Sequence, residues 1–133
     1  MRPKVGLGIF ISNSKNQILL MKRRGSHGAG TWCPPGGHLE LRESFLECAR
    51  KEAKEEVDLN IRQITVLGIT NGISFKEDKH YITIHTKATE WEGKPKIMEP
   101  NKCSEIGWFS LKELPSPLFL PIANAFKEDS VKI

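Results

Sequence analysis

The chain has only three cysteines, Cys33, Cys48 and Cys103, and no C-x-x-C pair among them. That scarcity argues against a disulfide framework and against a structural zinc site. The thiols read as reduced residues of the core or its margin, in a cytoplasmic protein. The histidines, His27, His38, His80 and His85, show no ligand spacing, and most read as ordinary loop or strand residues. No apolar run approaches the roughly 20 residues that a membrane-spanning helix needs. The opening MRPKVGLG lacks the charged-then-apolar layout of a secretion signal. Cytoplasmic placement is therefore expected, and a membrane partner is not. Positive charge is thin as well. The net is +4, and Lys22-Arg23-Arg24 is the one compact basic cluster. No aromatic residues interleave with basic ones in the way a nucleic-acid surface requires, so nucleic acid is not an expected partner. Internal repeats, linkers and low-complexity tracts are missing too. What remains, 133 residues with 38% hydrophobic content, suits one domain over residues 1–133 with a real core. A homodimer is compatible with such a chain.

Periodicity gives the elements. Val5, Leu7, Ile9 and Ile11 alternate with other residues, which predicts a half-buried strand. Ser12 to Asn16 reads as a turn and Gln17 to Lys22 as the returning hairpin partner. Strands are expected at 61–69, 72–76 and 80–89, a loop from Gly93 to Cys103, a short strand from Ile106 to Phe109, and a last helix from Pro121 to Lys127. Strands with helices packed on either face make an α/β sandwich.

The most informative stretch is GHLELRESFLECARKEAKEEVDL, from Gly37 to Leu59. Ser44 with Glu47 three residues on forms a capping box, which starts a helix that runs to about Val57. At about 100° per residue, Phe45, Cys48 and Ala49 share an apolar stripe, and Glu52 and Glu56 extend it, with Glu55 on its flank. Glu47, Arg50 and Lys54 take the opposite side. Carboxylates along a buried line repel one another and cost several kcal/mol each, roughly, if left unpaired. A divalent cation resolves this, and oxygen-only ligands suit Mg²⁺ or Mn²⁺. On the helix alone, a solvated acidic face with Lys51 and Lys54 as partners is an equal alternative.

The preceding segment, GSHGAGTWCPPGG over residues 25–37, tips the balance. Its glycine density implies sharp turns that bring amide N–H groups close to a ligand such as an anion. It is not a Walker A loop, because Thr31-Trp32 stand where Lys-Ser/Thr would be required. Lys22-Arg23-Arg24, entering this loop, suits phosphate better than nucleic acid; a solvated strand end is the plainer alternative.

Together these residues resemble the Nudix box, G-x5-E-x7-R-E-U-x-E-E-x-G-U, where U is a bulky aliphatic. Gly37 supplies the first glycine, Glu43 the first glutamate, Glu52, Glu55 and Glu56 the later carboxylates, and Leu59 the closing aliphatic. Three positions depart. Lys51 stands for the arginine, with loss of a planar bidentate fork; Ala53 stands for the aliphatic; Asp58 stands for the glycine that ends the helix in a left-handed conformation. None of the three touches the carboxylates. The likeness extends through HYITIHTKA and EPNKCSEIGWFSLKELPSPLF and covers nearly the whole chain. It is to the MutT-like nucleoside triphosphate diphosphatases, whose PGGHLE and EPxKC stretches are Pro35 to Glu40 and Glu99 to Cys103 here.

The resemblance implies a Nudix-type α/β/α sandwich with a mixed sheet, and a nucleoside triphosphate as substrate. It implies a metal held by Glu52 and Glu56, with Glu55 and the Gly37 carbonyl nearby. Water then attacks a bridging phosphorus, and monophosphate and pyrophosphate leave. Glu52 is the first choice of general base and Glu99 the second. Arg23, Gly36 and His38 fall to phosphate and substrate contacts. His80, Thr83 and Leu120 match positions that line the base pocket, Leu120 where an aromatic ring is usual. Trp108 reads as packing behind the sheet. An oxidised purine, a canonical dNTP or dihydroneopterin triphosphate would each fit. ADP-ribose or a nucleotide sugar fits less well in so short a chain. A non-catalytic nucleotide sensor would be expected to lack one of the box glutamates, and all are present.

Overall fold

Two apolar runs near the start of the chain decide the architecture. The computed structural model describes residues 2–25, 27–128 and 131–133. β1 (Lys4–Phe10) and β2 (Gln17–Arg23) are joined by the expected turn, in which Asn13 Oδ1 accepts the N–H groups of Lys15 and Gln17 at 3.0 Å each. The expected hairpin holds only at its root, where the Leu19 N–H donates to the Ile11 carbonyl at 3.0 Å and Ser12 bridges Ile18. Beyond it the strands part into different sheets. They do so because each is buried on two faces rather than one. Leu7, Ile9, Ile11, Leu19 and Met21 join one apolar cluster, while Phe10, Ile18 and Leu20 join another.

Within the expected glycine loop lie two short strands, β3 (Trp32–Cys33) and β4 (Gly36–His38). The two stretches expected at 61–69 and 72–76 are one strand, β5 (Asn60–Ser74), kept continuous by register shifts at Ile61/Gln63, Gln63/Ile64 and Val66/Gly68. β6 (Lys79–Glu92) and β7 (Cys103–Ser110) complete the set. A 4-stranded mixed sheet has the order β4-β1-β6-β5, with β1 parallel to β6, and a 3-stranded antiparallel sheet has the order β3-β2-β7.

Helix α1 (Phe45–Val57) starts as expected: Ser44 Oγ accepts the Glu47 N–H and Glu47 Oε1 accepts the Ser44 N–H, both at 3.0 Å. Cys48, Ala49, Ala53 and Val57 are its buried residues. Phe45 departs from the apolar stripe and is 38% exposed, since it sits in the first turn, before the packed stretch begins. The helix ends at Asp58, whose φ of 59° and ψ of 37° are left-handed. Helix α2 (Leu120–Lys127) begins with a proline in its first turn, where no backbone donor is lost, and packs Ile122 and Ala125 into the second cluster. The result is an α/β/α sandwich with a mixed sheet. Trp108 packs against the first cluster and stacks on Trp91 at 5.9 Å. Among the described residues no helix is long and apolar enough to cross a membrane.

Candidate active site

A cleft of about 930 Å³ is bounded by both sheets, the acidic face of α1 and the start of α2. Its chemistry begins with the glycines of β4. A Cβ on Gly36 would strike the Leu7 backbone, and one on Gly37 would overlap the Glu52 carboxylate. Only a bare backbone lets α1 press its carboxylates this close to a strand. The contact is used: the Gly36 N–H donates to Glu56 Oε1 at 2.8 Å.

The electrostatics show what the site needs. Burial, with Glu55 as the largest like charge, raises the Glu52 carboxyl to about 7. Glu56 rises to about 8, again chiefly by burial, although the Gly36 N–H and the charge of Arg23 pull it down. The nearest lysine relieves Glu52 only in part. Lys51 Nζ sits 2.8 Å from Glu43 and only 3.9 Å from Glu52. The remaining box lysine, Lys54, turns away to Asp58 at 2.8 Å. The positive charge near them, Lys51 for Glu52 and Arg23 for Glu56, is outweighed by burial and like charges. Together with the Gly37 backbone the carboxylates offer only hard oxygen donors, a set that suits Mg²⁺. Among the described residues no three acidic, imidazole or thiol groups are already gathered as a complete ligand set.

The other expected residues can now be placed. Glu55 lines the cleft from the exposed flank of α1. Glu99 lines it from the loop before β7; its carbonyl accepts the Lys102 and Cys103 N–H groups at 2.9 and 3.1 Å, and its charge helps raise both Glu52 and Glu56. Arg23, at the end of β2, is built into the wall. Its Nε donates to the His27 carbonyl at 3.1 Å and its guanidinium lies 4.2 Å from the Phe119 ring centre. His38 stacks on Tyr81 with ring centres 5.9 Å apart and planes at 10°. Thr83 and Leu120 also line the cleft.

His80 is the one expected residue not brought into the cleft. Alternation along β6 aims Tyr81 and Thr83 into it and His80 to the opposite face, where its Nε2 pairs with Asn71 Oδ1. Conversely, the lining includes Tyr81, Phe119, Lys79 and Lys102, which sequence reasoning passed over. Tyr81 shares strand parity with Thr83, so its place could have been inferred. Phe119 supplies an aromatic ring one position before Leu120, so the ring that Leu120 lacks is present next door.

A family model described as the NUDIX domain matches residues 2–129. The fold resembles the crystal structure of a MutT NUDIX hydrolase from Burkholderia pseudomallei at TM-score 0.89 and 30% identity, over 96% of this chain and 98% of that one. Among curated proteins, the chain is 33% identical over 84 residues to an RNA pyrophosphohydrolase of Hamiltonella defensa, covering 62% of this chain and 50% of that protein. It is also 33% identical over 63 residues to the Xenopus laevis m7GpppN-mRNA hydrolase NUDT17, covering 46% of this chain and 21% of that one. The match thus spans half or less of these curated relatives.

Proposed function

Because the chain belongs to the NUDIX domain family, we propose that it hydrolyses nucleoside triphosphates to nucleoside monophosphate and pyrophosphate, with Mg²⁺ or Mn²⁺ as cofactor. The observation that carries this reading is the pair Glu52 and Glu56, raised to about 7 and about 8 and pressed against the glycine strand of a cleft that Arg23, Arg24, Lys79 and Lys102 also line. Half-buried carboxylates and cations lining one cleft are complementary to a polyphosphate that arrives with a divalent ion. A cation held by Glu52, Glu55, Glu56 and the Gly37 carbonyl would supply Lewis-acid polarisation of the phosphates and an activated water. Glu52 takes the proton from the attacking water, with Glu99, across the cleft, as the alternative base. Arg23 and the backbone of Gly36 orient the phosphates. His38, Thr83 and Leu120 border the nucleoside. The free, buried thiols Cys33, Cys48 and Cys103 accord with a reducing, cytoplasmic setting.

The test is a Mg²⁺-dependent screen of dGTP, 8-oxo-dGTP, dihydroneopterin triphosphate and ADP-ribose in ¹⁸O-labelled water, with the products weighed by mass spectrometry. Labelled monophosphate or labelled pyrophosphate from a triphosphate is the expected result. Orthophosphate as the main product, or ADP-ribose outpacing every triphosphate, would overturn it. No turnover of any of these alongside tight binding would mark a nucleotide sensor instead.

A further inference from the structure

Three of the four strands that form sheet edges are short or charged. β4 and β3 have 3 and 2 residues, and β7 carries Glu105. β5 is different, with 15 residues along one edge of the mixed sheet. A long edge is ordinarily blunted by bulges or charges, since its free backbone groups otherwise pair with another strand. The first half of β5 is managed in this way. Arg62 pairs with Glu92, and the register shifts at Ile61/Gln63, Gln63/Ile64 and Val66/Gly68 all fall there. From Gly68 to Ser74 the pairing with β6 is unbroken, and no charged residue occurs from Gln63 to Phe75. Among the described residues no backbone hydrogen bond reaches Gly68–Ser74 from any element other than β6.

These seven residues, GITNGIS, have nearly the same pattern in both directions about Asn71. Ile69 mirrors Ile73, Gly68 mirrors Ser74 and Thr70 mirrors Gly72. Ile69, Asn71 and Ile73 share one face with Ile84, Ile82 and His80 of β6. Ile69 and Ile73 are 59% and 52% exposed. A second copy turned about a two-fold axis at Asn71 sets each Ile69 opposite an Ile73, with the small residues opposite one another on the other face. With no charge on this stretch, nothing in it repels its own copy. Val66 and Phe75, also exposed, lie just beyond the two ends, which antiparallel pairing brings together. The four apolar side chains offer roughly 400 Å² per copy, or about 800 Å² per pair before backbone and polar groups are added, against the roughly 1,200 Å² of the smallest stable interfaces.

We propose that this edge docks a second copy of the chain, β5 pairing antiparallel with β5 about a two-fold axis at Asn71 and joining the two mixed sheets into one. Such pairing closes after two copies, because each chain has one edge of this kind. Gly72, Ile73 and Ser74 also line the cleft, so the partner strand borders its outer wall.

The oligomeric state is read by sedimentation over about a hundredfold range of concentration around 10 µM. The mass should rise from 15.0 kDa toward twice that value. Ile69→Lys and Ile73→Glu should each weaken the dimer tenfold or more, since each sets a charge against an apolar side chain. Their melting temperatures should stay near wild type, because both positions are exposed. Mixing the two variants should restore dimers, because position 69 of one copy faces position 73 of the other and opposite charges meet there. Asn71→Cys should cross-link to itself on mild oxidation. Opposed residues with Cα atoms about 4.5–5.5 Å apart are within disulfide reach, and Cys33, Cys48 and Cys103 are buried. A monomer at every concentration, assemblies that grow without limit, or a dimer indifferent to both charges would overturn the proposal. So would a dimer in which Asn71→Cys fails to cross-link, or a monomer whose β5 edge takes up an apolar strand peptide of different sequence.

Discussion

His85 offers the cleanest test of how burial governs this fold. The residue is 0% exposed, its Nε2 lies 3.0 Å from Thr70 Oγ1, and its Nδ1 is buried without a hydrogen-bond partner among the described residues. Desolvation alone lowers its pKa from 6.5 to about 4. The unfolded chain therefore takes up a proton as pH falls through 6.5, while the folded chain holds off until about 4. The stability that neutral His85 permits is complete above pH 6.5 and is lost as pH falls toward 4. A shift of that size corresponds to about 3 kcal/mol in full, and to about 2 kcal/mol between pH 7.5 and pH 5. Glu52 and Glu56 act in the opposite sense, because their folded values are raised. Comparison with His85→Gln, which keeps both glutamates and a polar group for Thr70, cancels their effect. Urea unfolding at pH 7.5, 6, 5 and 4.5 should show wild type losing about 2 kcal/mol more than the variant by pH 5. Parallel curves for the two proteins, within about 0.5 kcal/mol, would refute the assignment of a neutral, desolvated histidine.

Three further outcomes follow from the site and the helix. Glu52→Gln and Glu56→Gln should each lower kcat by about 10²-fold or more. In metal-free buffer they should melt at or above wild type, because each removes a carboxylate whose pKa is raised by burial and like charges; turnover near the wild-type rate would refute the assigned roles. Gly37→Ala should stay folded by circular dichroism yet lose about 10²-fold in kcat, since the new Cβ overlaps the Glu52 carboxylate; full activity would show that Glu52 need not sit against the strand. Asp58→Gly relieves a left-handed backbone but gives up ion pairs to Lys54 at 2.8 Å and Lys96 at 3.7 Å. Its melting temperature should therefore rise relative to wild type as NaCl is raised to 1 M and those pairs are screened, and a salt-independent difference would count against this balance.

Much of α1 and its chemistry was legible in the residues themselves. The capping box, the apolar stripe apart from Phe45, and the carboxylates along it depend on neighbours within a turn or two, whereas the left-handed end at residue 58 was expected from the Nudix pattern. The rule that places them, 3.6 residues per turn, acts over that distance. The Nudix pattern, Gly37 and Glu43 included, was readable for the same reason.

The strands were another matter. β3 and β4, Trp32–Cys33 and Gly36–His38, are too short for any alternation to show, and they exist because β2 and β1 pair with them. The separation of β1 from β2 depends on two apolar clusters that form only when both helices are in place. His80 shows the limit most plainly, for a strand's period of two makes its face a matter of register, and register is set across the sheet. Local sequence thus determined the helix, its cap and the carboxylates it carries, because those interactions lie within a few residues of one another. Tertiary structure alone decided that Gly37 bears against Glu52 and that Phe119 rather than Leu120 brings a ring to the cleft, because each of these is a contact between elements distant in the chain.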